Sequence, residues 1–253
     1  MADSNSDKAA TLGLPSALWR EGQERRLNLV RQIVPIKQGD VVLDAGCGLG
    51  LYMDRFRALG AQVHGVDIDR ERVAQAQALG LNVAVGSAER LPFTDACVDV
   101  VWSHEVLEHV HDDAAAVREA YRVLRPGGYM VIYAPNRGYP FETHGIYWRG
   151  RYHFGNIPLV NYLPARWRDR LCPHVRAYRR HDLLRLFDGL DMQVIDQRIV
   201  FAGYDNIVAR WPGPGRLLRR LSYALEDTLL QHFGLSHLFI VRKEPSPSAC
   251  DKP

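Results

Sequence analysis

Several protein classes are excluded by what this sequence lacks. Its 253 residues hold four cysteines, Cys47, Cys97, Cys172 and Cys250, widely scattered and forming no CxxC pair. That spacing argues against a disulfide scaffold and a structural zinc site, and it fits a reducing, cytoplasmic setting. No apolar run approaches the roughly 18 residues that a membrane span needs. The opening MADSNSDKAATLG lacks the apolar stretch of a signal peptide. Internal repeats and low-complexity tracts are missing as well. What remains is an ordinary globular mix, 47% hydrophobic and 24% charged, which excludes wholesale disorder. The length suits one α/β domain with insertions, or two small domains at most.

The formal net charge of +3 is a sum of unlike parts. Residues 137–180 hold nine arginines, no lysine, and only Glu142 and Asp169 as acids, an excess of seven positive charges. The rest of the chain is therefore at a net −4. The same 44 residues carry nine aromatic side chains.

Periodicity gives an alternation of short apolar runs and amphipathic segments. VVLDAG (41–46) is a β-branched run entering a turn, a buried strand. Residues 49–60 have helical spacing and stop at Gly60; AQVHGVD (61–67) is a second strand; residues 69–80 form a helix closed by Gly80. Residues 81–86 and 97–103 read as strands three and four, with a helix over 112–124 whose acids come first and arginines late. YMVIYAPN (129–136) is strand five. This order predicts a doubly wound, mostly parallel sheet with helices on both faces, an α/β fold. Regularity fails after Asn136. A helix over 181–190, a strand over 192–201, an amphipathic segment after the break RWPGPG (210–215) and a last strand over 236–243 follow. The expected organisation is an N-terminal helical segment (1–38), a core (39–136), an irregular cap insertion (137–180), a C-terminal part of the sheet with a helical insertion (181–244), and a frayed tail (245–253).

The strongest motif is Asp44-Ala45-Gly46-Cys47-Gly48-Leu49-Gly50, between the first strand and the first core helix. Glycines let the backbone turn tightly and approach a ligand, and the helix N-terminus presents free N–H groups. Asp67, at the tip of the second strand, is placed to accept both ribose hydroxyls of a nucleoside. The spacing is GxGxG, and Tyr52 and Met53 follow Leu51, so no third glycine completes a dinucleotide fingerprint. A carboxylate at the loop entrance, Asp44, would repel a pyrophosphate but suits a ligand carrying an ammonium and a sulfonium. S-adenosylmethionine has both and no phosphate. A tight structural turn is the alternative for the glycines alone.

DAGCGLG, GVDID, GSAERLPF, SHEVLEHV and REAYRVLRPGGYMVIYAPN, in order over residues 40–136, resemble class I S-adenosylmethionine-dependent methyltransferases. The likeness is to the type 11 group, which includes the ubiquinone-biosynthesis and natural-product O-methyltransferases. It implies a Rossmann-like, seven-stranded sheet whose final strand, 236–243, runs antiparallel. It implies that Gly46, Gly48 and Gly50 pack on the methionine part, that Asp67 holds the ribose and that Ile68 flanks the adenine, with Ala88 and Glu89 along its edge. Asp44, Cys47, Ser103 and His104 complete the cofactor-side candidates. Where the group often has an acid to accept the adenine amino hydrogens, this chain has Ser87, a weaker acceptor. A helix over 19–30 is placed to close over the cofactor, with Trp19 and Arg25 at the methionine carboxylate; a solvated basic face is the alternative. The product is S-adenosylhomocysteine.

Methyl transfer is an in-line displacement on a carbon that the sulfonium already activates. Positioning alone supplies roughly 7–11 kcal/mol, and a base for a hydroxyl acceptor adds roughly 10²–10⁴-fold. The segment SHEVLEHVHDD offers His104, Glu105, Glu108, His109 and His111. A metalloprotease pattern fails there, because His104 and His109 are five residues apart and about 100° of helix rotation per residue takes the second off the face. The resemblance favours His109 as base, since related O-methyltransferases place a histidine in this loop; the alternative is a histidine that ties the loop to nearby backbone. Glu142 and His144, just after strand five, are the second candidates, with a structural turn as alternative. The Asn/Asp-Pro-Pro-Tyr/Phe element of base N-methyltransferases and the spaced acids of magnesium-dependent catechol enzymes are both missing, which disfavours base methylation and a metal.

Three uses compete for the basic, aromatic insert. It caps the acceptor pocket, with Tyr147, Trp148, Tyr152 and Phe154 lining it and arginines meeting an anionic acceptor. It lies on an anionic membrane through Trp148, Tyr162 and Trp167, helped by RLLRRL (216–221). Or it binds RNA. A solvated cap is the fourth possibility. The expected function is O-methylation of a small-molecule or glycan- or lipid-linked acceptor. Its site is cytoplasmic or at the inner membrane surface. An RNA-directed or non-catalytic protein of the same fold is the alternative.

Overall fold

The computed structural model describes residues 18–245. The start of the segment 1–38 and all but the first residue of the tail 245–253 lie outside these residues. Helix α1 (Glu21–Arg31) precedes the alternating core of β1 (Val41–Ala45), α2 (Leu51–Ala58), β2 (Gln62–Asp67), α3 (Arg70–Ala78), β3 (Val83–Val85), β4 (Val98–His104), α4 (Asp113–Val123) and β5 (Leu124–Pro135). The insert then folds as two small ladders, β6 (Phe141–Glu142) with β9 (Ile157–Pro158), and β7 (Ile146–Trp148) with β8 (Arg151–His153), followed by α5 (Ala165–Leu171). The chain closes with α6 (Arg180–Arg185), β10 (Met192–Val200), α7 (Asp205–Arg210), α8 (Pro212–Ala224) and β11 (Ser236–Lys243).

The large sheet has seven strands in the order β10-β11-β5-β4-β1-β2-β3, and β11 runs antiparallel to both neighbours. Central strands are apolar because both faces are covered. Val42, Trp102, Tyr133 and Ile240 point to one face, where Leu27 and Val30 of α1 and Met53 and Phe56 of α2 close over them. Leu43, Val101, Met130 and Phe239 point to the other, against Val117 and Ala120 of α4 and Leu183 of α6. Helices start where side-chain caps allow: the Asp69 carboxylate accepts from Glu71 N (3.0 Å) and that of Asp112 from Ala115 N (2.8 Å). Strand order reverses between β4 and β1, and a doubly wound sheet opens its ligand crevice there, at the carboxyl ends of the strands.

Two elements depart from the sequence pattern. Strand β5 begins at Leu124, so Arg-Pro-Gly-Gly enters the strand as an irregularity instead of breaking it, with a register shift against β4 between Val98 and Val100. Within RWPGPG, Arg210 ends α7, Trp211 caps α8 and Pro212–Gly215 form its first turn; proline is tolerated at the first helical positions, and a Cβ on Gly215 would sit 2.6 Å from Val208 Cα of α7. Helix α8 is inverted in polarity. Arg219 is buried against Gly203 O (2.6 Å) and Asp205 (2.9 Å), while Leu217 and Leu221 face outward. No helix among the described residues is long and apolar enough to cross a membrane.

Trp102 is fully buried at the centre of β4, touching Tyr52, Phe56 and Tyr133. Trp102→Ala is expected to cost about 3–5 kcal/mol of stability by chemical denaturation; a loss below about 1 kcal/mol would contradict this packing.

Candidate active site

The glycine loop is held by the tip of β2. Val66 O accepts from both Gly46 N (2.7 Å) and Cys47 N (3.0 Å). Asp67 closes the clasp: Oδ2 accepts from Gly48 N (2.8 Å) and Oδ1 from Asp69 N (2.9 Å). Gly46 sits at φ +86°, a left-handed conformation, and a Cβ there would lie 2.4 Å from Val106 Cγ2. Gly50, at φ +78°, caps α2 with a similar constraint, since its Cβ would meet Leu81 Cδ1 at 2.2 Å.

Asp44 and Asp67 are both buried at the ends of neighbouring strands. Burial, and then the charge of Asp67, push the Asp44 carboxyl up to about 8. Burial, followed by the same two acids, raises the Cys47 thiol, so it is an inert wall and no nucleophile. Two buried acids side by side make a place where a cation is favoured.

A cavity of about 560 Å³ opens above this clasp. Asp44, Gly46, Cys47, Gly48, Asp67 and Ile68 line one wall, and Ser87, Ala88 and Glu89 another. Glu89 also secures the start of α4, accepting from Asp112 N (2.6 Å) and from Ser87 Oγ (3.1 Å). Gly50 and Ser103 are absent from the wall; Ser103 lies beneath it among core residues of β4 and α4. The expectation for Trp19 and Arg25 is corrected. Trp19 packs edge-on against Tyr52, and Arg25 pairs with Glu226, so neither lines the cavity; Gln23 is the residue of α1 that does.

The far end of the cavity is built from the loop after β4 and the turn after β6. Arg26, half-buried, donates to His104 Nε2 (2.8 Å), Glu105 Oε1 (2.9 Å) and Ser236 Oγ (2.9 Å). An arginine can only donate, so His104 is an acceptor, and burial with Arg26 lowers it to about 3. Glu105 takes φ +55°, rare for a residue with a Cβ, and such strain concentrates at functional sites. Burial opposes its charge, but Arg26 and His104 bring its carboxyl to about 2. Glu108 is 1% exposed; burial and Glu105 push its carboxyl well up. His109 lines the cavity without a carboxylate partner, and burial and His144 lower it to about 4.

His144 is differently equipped. Its Nδ1 faces Glu142 Oε1 (3.1 Å), and its ring meets that of His109 edge-on at 5.3 Å. Glu142 lies behind the cavity wall, where Arg168 Nη2 donates to its other oxygen (2.8 Å). Arg168 is itself buried and anchored by Asn161 Oδ1 (3.2 Å) and Val175 O (3.0 Å). Burial opposes ionisation of Glu142, yet His144 and Arg168 hold it below the ordinary carboxylate range.

The cap meets the cavity less than its composition suggests. Of Tyr147, Trp148, Tyr152 and Phe154, Phe154 alone lines it; Tyr147 and Tyr152 pack at a tilt against each other and edge-on against His174. No arginine of 137–180 reaches the wall, and Arg176 is spent on the carbonyls of Val110 and His111. The wall's arginine, Arg72, comes from α3 and pairs with Asp69 (3.2 Å).

Comparisons with known proteins agree with this geometry. A family profile described as a methyltransferase domain matches residues 43–132. A malonyl-[acyl-carrier protein] O-methyltransferase of Erwinia billingiae is 41% identical over 98 residues, covering 38% of this chain and 39% of that protein. A 27-O-demethylrifamycin SV methyltransferase of Amycolatopsis mediterranei is 34% identical over 126 residues, 46% of each. The chain thus spans less than half the length of these curated relatives. In fold, the crystal structure of an S-adenosylmethionine-dependent methyltransferase from Mesorhizobium loti superposes with a TM-score of 0.60 at 20% identity, covering 85% of this chain and 96% of that one. Residues 43–132 thus carry the likeness to a methyltransferase domain, and the seven-stranded fold is that of a solved S-adenosylmethionine-dependent methyltransferase.

Proposed function

We propose that this protein transfers the methyl group of S-adenosylmethionine to an oxygen atom of a small-molecule or lipid-linked acceptor. The observation that carries the reading is the Arg168–Glu142–His144 relay, which presents a carboxylate-backed histidine to the cavity that also holds the two buried aspartates. In this reading Asp67 accepts the ribose hydroxyls, Asp44 faces the cationic amino-acid end, and Ile68, Ser87 and Glu89 border the adenine. S-adenosylmethionine supplies an activated methyl whose transfer breaks the carbon–sulfur bond and leaves a neutral thioether. The chain's own work is to align the acceptor oxygen and remove its proton. Removal is centred on His109 and His144. Of the two, His144 has the better-built support, because Glu142 holds its Nδ1–H and so fixes the tautomer that leaves Nε2 free to accept. The two O-methyltransferases among the relatives support oxygen as acceptor. The RNA-directed alternative has less support, since Arg168 and Arg176 are engaged within the chain.

Once an acceptor is found by a mass gain of one methyl, His144→Ala is expected to lower turnover by roughly 10²–10⁴-fold with S-adenosylmethionine affinity unchanged. Wild-type turnover in that variant would remove the proton-removal assignment. A second expectation concerns pH. The folded pKa of Asp44 is raised, so the folded chain keeps a proton that the unfolded chain loses. That contribution to stability is full at low pH and is lost as pH rises through about 8. The fall between pH 5 and about 8 should be shallower in Asp44→Asn, followed by denaturant titration; equal slopes would contradict the burial of that charge.

A further inference from the structure

The cavity's far end holds three acids, Glu108 and Glu142 buried and Glu105 partly so, and two of them are matched by arginines. Glu105 has Arg26 (2.9 Å) and Glu142 has Arg168 (2.8 Å). Glu108 is 1% exposed and faces Glu105, and no cation among the described residues pairs with it; neither its oxygens nor His109 Nδ1 has a partner at hydrogen-bond geometry. A buried carboxylate without a partner is costly. One ligand atom each from Glu108, His109 and His144 lie within 4.8 Å of one another. His144 Nδ1 is held by Glu142, which leaves Nε2 as its ligand atom. A carboxylate on the far nitrogen of a histidine is the outer-sphere arrangement that orients metal-binding imidazoles.

We propose that Glu108, His109 and His144 bind one divalent transition cation, of the kind zinc represents, at the acceptor end of the cofactor cavity. Two imidazoles and one carboxylate suit such an ion and leave coordination positions open. His109 and His144 both line the cavity, so the open side faces the acceptor. The ion supplies the counter-charge that Glu108 lacks. An acceptor hydroxyl bound at the open position has its pKa lowered; its proton leaves to solvent, its oxygen bonds to the methyl carbon, and the carbon–sulfur bond breaks to release the thioether. This rests on the methyltransferase reading and replaces direct proton acceptance at His144 Nε2, which a ligand nitrogen cannot perform: both histidines act on the acceptor's proton through the ion. Ligand spacing along the chain conceals the site, since His144 arrives from the turn after β6.

The test is calorimetry of the tag-free, chelator-stripped full chain with Zn²⁺, with visible absorption of the Co²⁺ form, and S-adenosylmethionine titrated into the same samples. One ion per chain is expected. Glu108→Gln, which keeps the shape, should weaken uptake at least as much as Glu142→Gln, which touches the ion only through His144 and should cost roughly 10–100-fold. His144→Ala, at a partly exposed position, serves as the second ligand variant. Absence of stoichiometric uptake by the wild type, or equal affinity in Glu108→Gln and His144→Ala, overturns the site. If S-adenosylmethionine still binds in that case, the metal alone is refuted; failure of the wild-type chain to bind S-adenosylmethionine refutes the reading beneath it.

Discussion

Everything at the ligand end of this fold depends on the Asp67 carboxylate. One oxygen holds Gly48 N of the glycine loop and the other holds Asp69 N at the start of α3, so a single side chain ties two strand ends and two helix starts together. The clasp keeps the Asp67 carboxylate next to Asp44, whose carboxyl that charge and burial push up; a cation placed against the pair is favoured and draws Asp44 toward its ionised form. A phosphate-bearing dinucleotide would meet repulsion there, and a sulfonium would meet attraction. The glycine positions follow from the same constraint. Gly46 has no room for a Cβ because Val106, from the loop after β4, closes over the turn.

The other end of the cavity is organised by two arginines. Arg26 on α1 and Arg168 on α5 are far apart in the sequence, and each pairs with one glutamate beside a histidine. Arg26 keeps His104 an acceptor and so fixes its ring among Tyr52, Trp102 and Tyr133. Arg168 fixes Glu142, and Glu142 fixes His144. Lost packing alone would follow from removing an aliphatic residue here; removing either arginine would strand a carboxylate, which is a larger penalty.

The sheet was legible because buried parallel strands leave continuous apolar runs, as in Val41–Ala45 and Val98–His104, and because the glycine loop follows the first of them. The acid at the loop entrance and the one on β2 were legible for the same reason: both sit at strand ends whose register is set by those runs. The acceptor end was not. The choice of Arg25 over Arg26 on α1 is an error of one residue, about 100° of helix rotation, and it exchanges a pair with Glu226, away from the cavity, for the hub that holds His104, Glu105 and Ser236. Arg168 was counted with eight other arginines as part of a basic segment, though it is buried and paired, because charge counting carries no burial. Tyr147 and Tyr152 were expected on the pocket wall and instead pack on His174, a contact between segments more than twenty residues apart. Glu142 and His144 were legible as candidates, but their preference over His109 depends on Arg168, which no local pattern announces.

The most direct measurement is calorimetric binding of S-adenosylmethionine to the wild-type chain and to Asp67→Ala. If the two buried aspartates define a site for a cationic nucleoside, the wild type binds one molecule per chain and the variant loses saturable binding while remaining folded. Equal affinity in the two proteins would contradict the central claim.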